Sequence, residues 1–132
     1  DTRTLRLWGA PDTTVAAVSL REPPGMHLLG TAAQEVGKLP GHDVELGLGL
    51  TEALVRYSAR HEWAITVEDM LARRWRALFL DARMAQAMAP RVAQLLQQET
   101  GIDPDLQGFM ALCRQYRLQA DQIEQPITEK SP

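Results

Sequence analysis

Tyr57-Ser-Ala-Arg-His61-Glu62-Trp63-Ala-Ile-Thr66-Val67-Glu68-Asp69-Met70-Leu71-Ala-Arg73-Arg74-Trp75-Arg-Ala-Leu78-Phe79-Leu80-Asp81-Ala-Arg-Met-Ala-Gln-Ala-Met-Ala-Pro90 is the stretch that decides the fold, and it reads as helix, break, helix. Just upstream, Thr51 is an N-cap for a helix running to about Trp63. Leu50, Ala53, Leu54, Tyr57 and His61 fall on one face of it, and Val55, Ala59 and Trp63 on the other. Apolar residues on two faces predict a helix buried on both, at the centre of the domain. Thr66 opens the next helix, with Asp69 three residues on as an acidic form of the capping box and Glu68 near the positive end of the dipole. Asp81 caps a third segment, and Pro90 fits the first turn of a further helix carrying Val92, Leu95 and Leu96.

Wound as an α-helix from Val67, the side chains of Met70, Leu71, Trp75 and Leu78 share one stripe, and Arg74 lands inside it while Arg73 points away. An arginine there is expected to be largely buried and paired with a carboxylate, Glu62 or Glu52. The competing reading has Arg73 and Arg74 facing a partner domain or an anionic ligand at a domain junction. His61 follows the same stripe and is expected in the core. Its neighbour Glu62 is a poor orienting partner, because adjacent helix positions do not face each other.

Further along, Gly101 ends a helix in the left-handed region, and Asp103-Pro104 repeats the start signal for a last helix. That helix carries Leu106, Phe109, Met110 and Cys113 on one stripe and ends before Pro126. Residues 1–49 are rich in Gly and Pro and predict loops, with Thr4-Leu5-Arg6-Leu7 as a short extended piece and Thr31 to Lys38 as a short helix. The fold class is therefore mainly α, a compact domain of about five helices with a loop-rich N-terminal third. Residues 1–25 read as a connector from an upstream region, 26–125 as the helical domain and 126–132 as a disordered tail. Trp8, in the connector, is a candidate contact with something outside the domain.

Composition excludes several function classes. At 132 residues, 45% apolar and 23% charged, the chain suits one globular core. With 14 basic against 17 acidic side chains, no basic field marks a nucleic-acid surface. Cys113 stands alone, so no internal disulfide forms, and a cytoplasmic setting follows. No uncharged run approaches the roughly 20 residues that span a bilayer. The start at Asp1 without a leader-like segment suggests an excised piece. His27, His42 and Cys113 lack ligand spacing, so no metal is expected, and Cys113 reads as a small hydrophobe. Gly47-Leu-Gly49-Leu-Thr-Glu52 is a poor dinucleotide fingerprint, because Glu52 replaces the third glycine and would set a charge against a pyrophosphate.

Tyr57, His61-Glu62-Trp63, Thr66-Val67-Glu68-Asp69, Leu71, Arg73-Arg74, Phe79-Leu80-Asp81-Ala82 and Pro90 together resemble the C-terminal domain of FAD-dependent glycerol-3-phosphate dehydrogenases. His27-Leu28-Leu29-Gly30-Thr31 with Glu35-Val36 is similar to a further segment of that domain, with Leu29 where the family has Tyr, and Leu54 stands where it has Glu. The resemblance implies an enzyme oxidising sn-glycerol 3-phosphate to dihydroxyacetone phosphate, passing hydride to FAD and electrons to a membrane quinone. The flavin and substrate residues of that family lie upstream, so no catalytic or cofactor-binding residue is carried onto this chain. The piece is then a helical cap, inactive alone. Its partners are the upstream FAD and substrate domains, and the parent is cytoplasmic or peripheral on the inner membrane. The contrasting reading is a standalone helical protein-interaction module. In either case Arg73, Arg74, Glu62 and Trp8 are the candidate ion-pair or interface residues.

Overall fold

In a computed structural model of the chain, residues 2–5, 7, 9, 10, 18, 19 and 21–123 are described. Trp8, Arg6 of the expected extended piece, part of the expected connector, and the expected tail at 126–132 lie outside the described residues. The architecture is mainly α. A 3₁₀ segment, Met26–Ala32, leads into a short α1 (Ala33–Val36). Two short antiparallel strands, β1 (Glu45–Gly47) and β2 (Leu50–Thr51), precede α2 (Glu52–His61). A π-helical segment, Asp69–Arg74, follows, then α3 (Ala77–Leu80), the long α4 (Ala82–Thr100) and α5 (Leu106–Ile123). α4 packs against both α2 and α5.

Thr51 does what a β-region N-cap does: its hydroxyl accepts the Leu54 N–H at 3.3 Å. The hairpin before it was not expected, since Gly47-Leu-Gly49 reads as a plain loop. The turn places Leu48 (φ 51) and Gly49 (φ 75) in the left-handed region, the pairing that a two-residue I′ turn requires. Glycine is needed at 49 twice over, because a Cβ there would also lie 2.1 Å from the Pro24 carbonyl oxygen. Leu50 is fully buried and feeds α2 into the core with Leu54, Val55, Val92, Leu95 and Leu96.

The expected single helix from Thr66 is corrected. Its start is as predicted, but from Asp69 the backbone winds as a π-helix, closed by the Trp75 N–H on the Met70 carbonyl at 2.9 Å. Arg76 then adopts a left-handed conformation (φ 57), and α3 begins again at Ala77. Tertiary contacts account for the break. Trp75 is buried and its indole N–H donates to the Leu48 carbonyl in the hairpin turn at 2.8 Å, while Met70, Leu71, Ala77 and Leu78 remain in the core. Packing and that bond outweigh regular winding.

Pro90 is the second correction. It lies inside α4 rather than opening a new helix. An interior proline costs about 3 kcal/mol. Against it stand Asp81, whose carboxylate accepts the Arg83 and Met84 N–H groups at 3.0 Å each, and a buried face of Ala85, Met88, Ala89, Val92, Ala93, Leu95 and Leu96. Each large side chain on that face contributes about 1.5–3 kcal/mol, so the helix runs through.

Gly101 ends α4 as predicted, at φ 72 with its N–H on the Gln97 carbonyl. The next start is displaced: Pro104 is buried and its carbonyl accepts the Val67 N–H at 2.9 Å, so it serves a tertiary contact. Asp105 caps α5 in its place, accepting the Gly108 N–H at 3.1 Å. His61 and Trp63, expected in the core, are both exposed, because α2 ends between them and the chain reverses. His61 keeps only a ring contact with Tyr57 one turn back, at 4.7 Å.

Ion pairs join α2 to α4. Glu52 binds Arg91 at 2.7 Å rather than Arg74, while Arg56 and Arg60 share Glu99 at 2.7 Å each. The hydrogen bond from Arg60, reinforced by Arg56, holds the Glu99 carboxyl below its usual range. A lowered folded-state pKa means that this stabilisation is present above the unfolded value near 4.5 and is lost as pH falls through the folded-state value. Glu99→Gln is predicted to cost about 1–3 kcal/mol at pH 7, and the gap from the parent sequence should narrow as pH is lowered below 4.5, as read by urea unfolding along a pH series. Trp75→Phe, which strands the half-buried Leu48 carbonyl, is predicted to cost about 1–3 kcal/mol in the same measurement.

Candidate functional site

The return of the chain after α2 leaves a cleft of about 620 Å³ between the end of that helix, the π-helical segment and the 3₁₀ segment. Leu54, Met70 and Trp75 make an apolar floor, and Leu28 and Leu29 close one side. The other lining groups are Ser58 and Glu62 from α2 and Asp69, Arg73 and Arg74 from the π-helical segment. Arg73, Arg74 and Glu62 are thus brought to one place. Trp8 lies outside the described residues.

The capping box sets the rim. Asp69 accepts the Thr66 N–H at 2.9 Å and the Ile65 N–H at 3.2 Å, while the Thr66 hydroxyl accepts the Asp69 N–H at 3.0 Å. Burial pushes the Asp69 carboxyl up, but hydrogen bonding from Thr66, Ile65 and Arg73 outweighs it and leaves the group below its usual range. Arg73 bridges Asp69 at 2.6 Å and Glu68 at 2.7 Å and is mostly exposed. Arg74 folds back over the end of α2. One of its terminal nitrogens donates to the Glu62 carbonyl and the other to the Asp69 carbonyl at 3.2 Å. Its Nε lies 3.8 Å from the Glu62 carboxylate. The Arg74 side chain is 24% exposed and within ion-pair distance of Glu62, as expected, with its guanidinium lining the cleft.

The Ser58 hydroxyl donates to the Glu62 carboxylate at 2.9 Å, and this completes a rim of two guanidiniums and three carboxylates that engage one another. Such a recess offers a neighbouring polypeptide an apolar floor and an ordered polar edge. It does not offer an anion an unpaired cation. Among the described residues no group of three His, Cys, Asp or Glu side chains is placed to hold a metal ion. Cys113 is buried, and burial pushes its thiol up, away from nucleophilic character.

Ser58 and the Leu28–Leu29 side of the cleft were not singled out from the sequence. The four-residue step from Ser58 to Glu62 was a usable signal, whereas the approach of residues 28 and 29 is a long-range contact with none. Asp69→Ala is predicted to lower stability by about 1–2 kcal/mol, by removing half of the capping box and the Arg73 bridge. Thermal and urea unfolding check this, with Glu68→Ala, which leaves the box intact, expected to change little.

With this geometry in hand, comparison with known proteins places the chain. Residues 1–107 match the family described as the C-terminal domain of alpha-glycerophosphate oxidase. Over 71 residues the chain is 39% identical to a mitochondrial glycerol-3-phosphate dehydrogenase of Arabidopsis thaliana, a match covering 54% of this chain and 11% of that relative. No solved structure matches it. The chain belongs to the family of alpha-glycerophosphate oxidase C-terminal domains.

Proposed function

We propose that this domain is the helical C-terminal cap of an FAD-dependent enzyme that oxidises sn-glycerol 3-phosphate to dihydroxyacetone phosphate, and that its own role is domain packing. The observation that carries this reading is the family match across residues 1–107, supported by the Arabidopsis relative's printed name. The flavin belongs to the rest of the parent polypeptide, because the residues here do not fit it. Glu52 stands where a fingerprint needs its third glycine and is spent on Arg91, and the close approach that Gly49 permits is taken by the Pro24 carbonyl. The cleft and its salt-bridged rim then serve as part of the surface on which the upstream domains rest. Among the described residues no helix is long and apolar enough to cross a membrane, so any membrane association of the parent would be peripheral or would lie elsewhere in it.

The full-length polypeptide that contains residues 1–132 is expected to purify with bound FAD and to reduce a quinone analogue when given sn-glycerol 3-phosphate. The 132-residue piece alone is expected to bind no flavin. Stoichiometric FAD on the piece, or a full-length protein without flavin and without this oxidation, would overturn the reading.

A further inference from the structure

We infer that Trp63 is the anchor by which this cap docks into an apolar recess on the rest of its parent polypeptide, an inference that rests on the cap reading above. α2 closes with the Glu62 and Ala64 N–H groups both on the Ser58 carbonyl, at 3.0 and 3.1 Å, and the turn between them holds one residue in the left-handed region. That residue is Trp63, at φ 58. Glycine is the residue that takes this position without strain, and a bulky aromatic there is a backbone outlier.

The strain secures no packing inside the domain, because the Trp63 side chain is 79% exposed, the largest exposure among the large apolar side chains described. Two unfavourable features, a left-handed backbone and an indole held in water, therefore coincide at one residue, and among the described residues no packing offsets them. A strained backbone at an exposed aromatic is the signature of a contact made elsewhere, and Trp is the side chain most enriched at the energetic centres of protein interfaces.

Position supports the same assignment. Trp63 follows Glu62 directly in sequence, and the Glu62 carboxylate, with its Ser58 bond and Arg74 contact, forms the ordered edge of the cleft. Leu28, also on that cleft, is 62% exposed. The occupant is the parent's own remaining chain: the matched segment makes up 11% of the relative, so a partner surface comes covalently attached to the cap. A short tether raises effective concentration, which lets a small interface with one dominant anchor suffice.

Residue-resolved hydroxyl-radical footprinting of the full-length polypeptide tests this. Trp63 is expected to label at least about tenfold more slowly than in the urea-denatured polypeptide, at all protein concentrations. In Trp63→Gly, hydrogen exchange within α2 should be unchanged or slower, while protease cuts between cap and remainder at least about tenfold faster. An active, flavin-bearing polypeptide in which Trp63 labels at the denatured rate overturns the anchor and leaves the enzyme reading standing. Protection that disappears on dilution overturns it in favour of a contact between copies. A polypeptide without flavin or glycerol-3-phosphate oxidation overturns the enzyme reading and, with it, the partner named here.

Discussion

The hydrogen bond from the Trp75 indole to the Leu48 carbonyl, at 2.8 Å, ties together parts of the chain that otherwise share little. Leu48 can offer its carbonyl because the hairpin turn holds it at φ 51, a conformation that a leucine adopts only when its surroundings over-determine it. Trp75 can reach it because the segment before it winds with one residue more per hydrogen bond than an α-helix would. Each distortion is unfavourable alone. Together they let a large indole be buried with its one polar atom satisfied, which is the condition under which tryptophan stabilises a core.

From that register the rest of the cleft follows. The Arg74 guanidinium, at the end of the π-helical segment, lies over the end of α2 and takes up carbonyls of Glu62 and Asp69. Arg73, one residue earlier, remains mostly exposed and pairs with Glu68 and Asp69. The two arginines thus divide the labour by position: one closes the C-terminal end of a helix, where a cation meets unsatisfied carbonyls, and the other neutralises the first turn of the next segment.

The sequence was legible wherever a signal was local. Thr51, the Thr66–Asp69 box, Asp81 and Gly101 act as their positions predict, because a cap is decided by residues within one turn of itself. The failures are contacts over long separations. Pro90 reads as a helix start because its rule is local, but seven buried residues along α4 decide otherwise. Asp103-Pro104 reads as a cap, but the Pro104 carbonyl is claimed by Val67 from far up the chain. Arg74 is mostly buried and paired with Glu62 as expected, but the π winding of its segment was not legible, because a helical wheel assumes one winding. Of the cleft, the four charged residues Glu62, Asp69, Arg73 and Arg74 were visible from spacing, whereas the Leu28–Leu29 side depends on a contact with the N-terminal segment.

Where the domain is strained without internal reward is as informative as where it is well packed. Leu48 and Trp63 both take positive φ values of similar size, yet their situations differ. The conformation of Leu48 is offset by the Trp75 bond and by the hairpin that delivers Leu50 to the core. Arg76, a third such residue, has its guanidinium 5.9 Å from the centre of the Phe79 ring, a cation–π contact that offsets part of its cost. Trp63 has its indole in water. The described core and the ion-pair clusters between α2 and α4 and around the cleft leave that side chain exposed. The asymmetry points outward, to a surface the indole meets only when the cap is joined to the remainder of its parent, and it is the same surface on which the ordered rim of the cleft opens.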